Sequence, residues 1–311
     1  MTKQLCFVLL LTVNASSAGS LDQDTNPMGN RGGTERQSGF VQVEGGRLNY
    51  EVRGSGDAIV FIHGNAGDLR HWDHQLDTLA AHFRVIRYDV RGYGKSSLPA
   101  ERESYANHDD LATLLDKLGV SEAHVAGWSM GAGIAANFVL AYPERAISLI
   151  SISPWVGGYS SPAVQALLAD MGAVGAAFDE GGAPAALRAW RHAPFWIATA
   201  RNASAEAEFA TIATDYSWWA FSHRSPARRL EPPAAERLGS IQVPTLILTG
   251  EHDIPACLEI ADLLDSRVPK SRKVVMSGTG HLLHMEKPDE FNRHLIEFAE
   301  GVAADEKVRP G

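Results

Sequence analysis

The stretch Ala123-His124-Val125-Ala126-Gly127-Trp128-Ser129-Met130-Gly131-Ala132 decides how the rest of this 311-residue chain is read. A short strand-like run leads into glycine, one residue, serine, one residue and a second glycine, and a helix-prone segment, 132–142, follows at once. In a strand-turn-helix setting the pattern G-x-S-x-G describes a sharp turn. Glycines flank the serine because that turn leaves no room for side chains beside it and forces unusual backbone angles. The serine then stands at a helix N-terminus, where main-chain N–H groups favour negative charge. Ser129 is therefore the candidate nucleophile.

Outward from this turn, short apolar runs alternate with amphipathic stretches. Strands are expected at 58–62, 83–88, 124–128 and 146–152, with helices at 69–81, 105–118 and 132–142. The alternation resumes with strands at 245–249 and 272–276, a helix around 257–264 and a last helix at 288–302. A hairpin around Gly45-Gly46 precedes them. Such an order implies an α/β fold with a mostly parallel sheet and helices on both faces. Residues 155–238 break the pattern: they are helix-prone, rich in Ala and aromatics and without a strand, and so are expected to form a helical cap inserted into a core of 39–154 and 239–303.

A serine hydroxyl is a weak nucleophile, so it needs a positioned base, and the base needs an orienting acid. One strand ends in Gly250-Glu251-His252-Asp253 and the next in Gly278-Thr279-Gly280-His281. Both segments fall just past strand ends, on the sheet edge that carries Ser129. Asp253 and His281 are the candidate acid and base; Glu251 is the rival acid, and His252 and His284 are rival bases. The strand ending at Ile152 is followed by Ser153-Pro154-Trp155, which leaves that alternative acid position empty. After the first core strand comes His63-Gly64-Asn65-Ala66-Gly67. Its small residues allow close approach to a substrate, so the main-chain N–H groups of Asn65 and Met130 are the expected oxyanion hole, with His63 bracing the loop.

Through His63-Gly64, Asp89-Val90-Arg91-Gly92-Tyr93-Gly94-Lys95-Ser96, Gly127–Gly131, Asp253 and Gly280-His281, the chain resembles the α/β-hydrolase fold superfamily over about 40–302. Within it, the chain is similar to small esterases, enol-lactonases, cofactor-free haloperoxidases and carbon–carbon bond hydrolases with a helical cap. The resemblance implies an eight-stranded sheet and a serine hydrolase acting on a carboxylic ester or lactone, with no cofactor and no metal. Carbon–carbon bond hydrolysis and perhydrolysis would use the same residues, and a slow-turnover ligand receptor on the same fold is the reading from another class. Haloalkane dehalogenases and epoxide hydrolases would be expected to carry Asp at the elbow, which Ser129 replaces.

The cap aromatics could line an apolar pocket over Ser129 or simply pack the cap. Trp128, Trp155, Trp190, Trp218 and Trp219 are the expected pocket residues. Two other motifs fail. Gly94-Lys95-Ser96 lacks the P-loop glycine, having Asp89 in its place, and His71-Trp72-Asp73-His74 lacks further ligands for a metal.

Composition sets the remaining bounds. With 45% hydrophobic and 21% charged residues the chain is globular, and a dispersed net charge of -9 argues against nucleic acid or an anionic membrane as partner. A small molecule is the expected partner. At the start, Lys3, an apolar run over 5–13 and small residues over 15–19 have the layout of a secretory signal peptide, 1–19, too short to span a membrane. Secretion or export to a periplasm is therefore expected, with no membrane insertion after cleavage and a cytoplasmic location if the segment is retained. A polar linker, 20–38, and a tail, 304–311, complete the division. Cleavage would leave Cys257 as the single thiol.

Overall fold

The computed structural model describes residues 36–100, 104–199, 202–223 and 226–308. The expected leader and most of the linker lie outside them. Eight strands form one sheet: β1 (Gln37–Val43), β2 (Gly46–Arg53), β3 (Ala58–Ile62), β4 (Arg84–Tyr88), β5 (Ala123–Trp128), β6 (Ala146–Ile152), β7 (Thr245–Gly250) and β8 (Ser271–Met276). Their order is β1-β2-β4-β3-β5-β6-β7-β8. β2 runs antiparallel to both neighbours, and every pairing from β4 to β8 is parallel. β3, β5 and β7 are buried at every residue, as a sheet covered on both faces requires.

The helices are α1 (Asp73–Leu79), α2 (Asn107–Lys117), α3 (Met130–Ala141), α4 (Pro162–His192), α5 (Pro194–Thr199), α6 (Ala203–Thr214), α7 (Trp219–Ser222), α8 (Ala234–Arg237), α9 (Pro255–Arg267), α10 (Leu283–Glu286) and α11 (Pro288–Val308). From α4 to α8 they lie between β6 and β7 and form the helical insertion. α4 is broken at Gly181 and Gly182, the latter at φ 65°, and Pro184 restarts it. No helix among the described residues is long and apolar enough to cross a membrane.

Element bounds differ from the sequence reading where backbone pairing outweighs side-chain character. β1 starts at Gln37, inside the expected linker, because Gln37 and Ser38 pair with Val52 and Glu51 whatever their polarity. α11 continues into the expected tail, since extending a formed helix adds a hydrogen bond per residue without burial. The expected helix at 69–81 splits into a 3₁₀ turn, Leu69–Trp72, and α1. Tyr105 makes a bridge to Ala227 of the insertion instead of starting α2.

Parallel register fixes where the loops emerge. Ile62 lies opposite Gly127, Trp128 opposite Ile152, Ile152 opposite Leu248 and Gly250 opposite Met276. The segments carrying Asn65, Ser129, Ser153, Asp253 and His281 therefore leave one edge of the sheet.

Candidate active site

Ser129 has φ 55° and ψ -117°, a conformation that strains any residue with a Cβ. Both flanking glycines are required by contact. A Cβ on Gly127 would lie 2.2 Å from the carbonyl oxygen of Gly131, and one on Gly131 would lie 2.2 Å from that of Ile62. The turn is held from below by the Ser129 N–H, which donates to the Ile152 carbonyl at 2.9 Å. The strain thus raises the serine hydroxyl over the sheet edge.

There Ser129 Oγ lies 3.1 Å from His281 Nε2, and His281 Nδ1 lies 2.7 Å from Asp253 Oδ1. Asp253 and His281 are almost entirely buried. The same Asp253 oxygen accepts the Ile254 N–H at 2.7 Å, and its other oxygen accepts the Ser153 hydroxyl at 2.5 Å. Two donors and the imidazole hold the carboxylate in place. With Nδ1–H given to Asp253, Nε2 presents its lone pair to Ser129, the tautomer a general base needs. Among the rivals, Glu251 turns to Ser277 and the Gly278 N–H, and those bonds hold its carboxyl below the usual range. His284 is buried against Trp128 and Trp72, and burial holds it neutral.

On the other side of Ser129, Met130 opens α3, so its N–H is among the first-turn donors that a helix leaves without a partner. The loop after β3 is built by tight contact: a Cβ on Gly64 would lie 2.4 Å from the Trp128 ring. Asn65 Oδ1 accepts from the Ala66 N–H and from the Tyr93 hydroxyl, at 3.0 and 2.9 Å. His63 Nε2 accepts the Val90 N–H at 3.0 Å, which leaves its Nδ1–H to the Gly64 carbonyl at 2.7 Å; burial keeps the ring neutral. His63 is thus a fixed brace between this loop and the one after β4. In the latter, Asp89 accepts the Leu69 and Lys95 N–H groups, and Gly94 closes on its carboxylate. The Asp89–Ser96 motif builds this loop, and its Tyr93 hydroxyl reaches Asn65 Oδ1 and Met130 Sδ at 2.9 and 3.2 Å.

A cavity of about 660 Å³ opens above Ser129 and His281. Of the residues expected at a pocket, Trp128, Trp155 and Trp190 line it; Asn65 and Met130 also reach it, and Phe195, Phe221 and the α4 residues Leu167, Leu168 and Met171 add apolar wall. Trp218 and Trp219 do not. Trp218, in the left-handed region at φ 57°, is fully buried among Tyr216, Phe221 and Trp190, and Trp219 stacks on His223. Their aromatic mass packs the cap. Gly172, Gly175 and Ala176 of α4 also face the cavity and went unnoticed in the sequence, where small residues in an Ala-rich helix give no signal.

The chain matches the α/β hydrolase fold family over residues 57–288. It belongs to that family. It is 31% identical over 265 residues, 81% of this chain and 94% of the relative, to RutD of Azorhizobium caulinodans, whose name assigns it carbamate hydrolysis. It is 27% identical to the 2-hydroxy-6-oxo-6-phenylhexa-2,4-dienoate hydrolase of Comamonas testosteroni, over 81% of this chain and 90% of that one. Among solved structures, Est816, described as an N-acyl homoserine lactone degrading enzyme, superposes with a TM-score of 0.65 at 27% identity, covering 84% of this chain and all of the other. Family and relatives together make this chain a hydrolase.

Proposed function

We propose that this hydrolase cleaves a carboxylic ester or lactone of an apolar small molecule through an acyl-enzyme on Ser129. The observation that carries the reading is the unbroken relay from Ser129 Oγ through His281 to Asp253, at 3.1 and 2.7 Å, on the floor of an apolar cavity. Ser129 attacks the carbonyl carbon while His281 Nε2 takes its proton. The oxyanion meets the N–H groups of Met130 and Asn65, each contributing on the order of 3 kcal/mol in comparable sites. Collapse expels the alcohol, protonated by His281. A water deprotonated by the same nitrogen then attacks the acyl carbon and releases the acid. Named side chains handle every proton, so these steps need no cofactor.

Carbon–carbon bond hydrolysis, as named for the Comamonas relative, could run on the same residues. The cavity wall favours the ester reading. Among the described residues it carries the Asp179 carboxylate and no Lys or Arg, a surface that repels the carboxylate of a dienoate.

The test is hydrolysis of short-chain and long-chain p-nitrophenyl esters and of an acylated lactone by the protein and by Ser129→Ala, beside a vinylogous diketone acid. Multiple turnovers on esters, lost in Ser129→Ala, are expected. A single slow turnover would support a ligand receptor, and activity confined to the diketone would support carbon–carbon cleavage. The expected export leader would be checked by N-terminal sequencing of protein recovered outside the cytoplasm; an intact Met1 contradicts it.

A further inference from the structure

Cys257 stands against the Asp253–His281 pair. α9 begins two residues after Asp253, and its first turn carries Cys257 back over that carboxylate. A carboxylate oxygen of Asp253, the Cys257 Sγ and a ring nitrogen of His281 all lie within 4.8 Å of one another, and all three residues are buried. Cys257 and His281 both line the cavity that reaches Ser129, so the cluster has an entry path. A small apolar filler would explain the burial of Cys257. It would not explain a thiol placed on the reacting pair, where ester hydrolysis has no use for it.

Thiolate, imidazole and carboxylate are the donor set of Zn²⁺ and of its softer congener Cd²⁺. We propose that Asp253, Cys257 and His281 form an inhibitory site for a thiophilic divalent cation that enters through the substrate cavity. His281 Nδ1 and Asp253 Oδ1 stand 2.7 Å apart and must open by about 0.5 Å to take a cation in place of the proton between them, while Cys257 Sγ closes on the pair, and water would fill the fourth position.

The proton balance follows from the ring. Cys257 binds as thiolate and releases one proton to solvent. His281 binds through Nδ1, so its single ring proton moves to Nε2 and none is lost. In that tautomer Nε2 is a donor and cannot take the proton of Ser129. Binding rests on the cluster alone; inhibition rests on the function proposed above.

The test is a Cd²⁺ titration of the full chain followed by the thiolate-to-cadmium charge-transfer absorption, with ester turnover measured in parallel. Wild type is expected to saturate at one Cd²⁺ per chain, to lose turnover in proportion, and on adding a chelator to lose the band and regain turnover. Cys257→Ala and Cys257→Ser should lose the band and resist Cd²⁺ at least tenfold better, each relative to its own uninhibited rate. A band that persists in both variants belongs to another ligand and overturns the site, as does normal turnover unaffected by saturating Cd²⁺. A Cys257-dependent band in a protein without ester turnover would uphold the metal site and overturn the hydrolase reading.

Discussion

Trp128 donates its indole N–H to the main-chain carbonyl of His281 at 2.9 Å, so the residue directly before the proposed nucleophile holds the backbone of the proposed base. Its ring also lies 5.1 Å from the His281 ring and presses on Gly64 at the start of the proposed oxyanion loop. One buried side chain thus ties together three segments that are far apart in sequence.

Trp128→Phe keeps most of that ring and removes the N–H. It is expected to lower stability by about 1 kcal/mol, as for a buried carbonyl losing a donor. It should also lower kcat about tenfold with KM nearly unchanged, because a shift of the base affects the reaction more than binding. Steady-state kinetics on a p-nitrophenyl ester would show it. An unchanged kcat would confine the bond to folding.

Asp253→Asn presents an amide to His281 and favours the wrong imidazole tautomer. A fall in kcat of about 10⁴ is expected, as in comparable triads. Single-turnover acylation rates measure it directly. A fall of less than tenfold would exclude Asp253 as the orienting acid.

Ser153 is the residue that sequence reading passed over. The position after β6 was read for an acid and found empty, yet the Ser153 hydroxyl is bound to the Asp253 carboxylate. Ser153→Ala should reduce kcat about tenfold to 150-fold, the loss of one hydrogen bond to a charged group being about 1.5 to 3 kcal/mol. KM should hold, and circular dichroism should report an unchanged fold. A larger loss than that of Asp253→Asn would contradict a purely positioning role.

What was legible follows the reach of each signal. Ser129, Asp253 and His281 are marked by local motifs at strand ends, and parallel register then forces those ends together. Trp218 and Trp219 were misassigned to the pocket because composition does not record direction. A left-handed residue at Trp218 turns the chain so that one indole enters the cap core and its neighbour meets His223. The Ser153–Asp253 bond and the Cys257 cluster depend on single side-chain contacts across β6, β7 and α9, which no periodicity encodes.

Gly172 tests the cavity as the acyl site. Nothing lies within 4 Å of a Cβ built there, so packing does not demand glycine, and the space it leaves belongs to the cavity. Gly172→Leu should raise stability by up to about 1 kcal/mol through helix propensity. It should also reduce kcat/KM for long-chain esters at least tenfold while sparing acetate, a loss of the order expected when a few methylenes lose their burial. Equal loss on both chain lengths would place the acyl group elsewhere.

His71 offers a test through pH. It is fully buried between Trp128 and Phe209, neither ring nitrogen has a hydrogen-bond partner among the described residues, and burial above all lowers its pKa from 6.5 to about 3. Between those values the unfolded chain binds a proton that the folded chain refuses. Its contribution is therefore complete above about pH 6.5 and is lost as pH falls, by up to about 1.4 kcal/mol per pH unit. His124, lowered to about 4 by burial, acts in the same direction. His71→Phe retains the stacking on Phe209 and removes one proton from the linkage. Urea midpoints at pH 7, 6 and 5 should fall for both proteins, and less steeply for the variant by that one-proton slope. Equal slopes would mean that His71 is not held neutral in the folded chain.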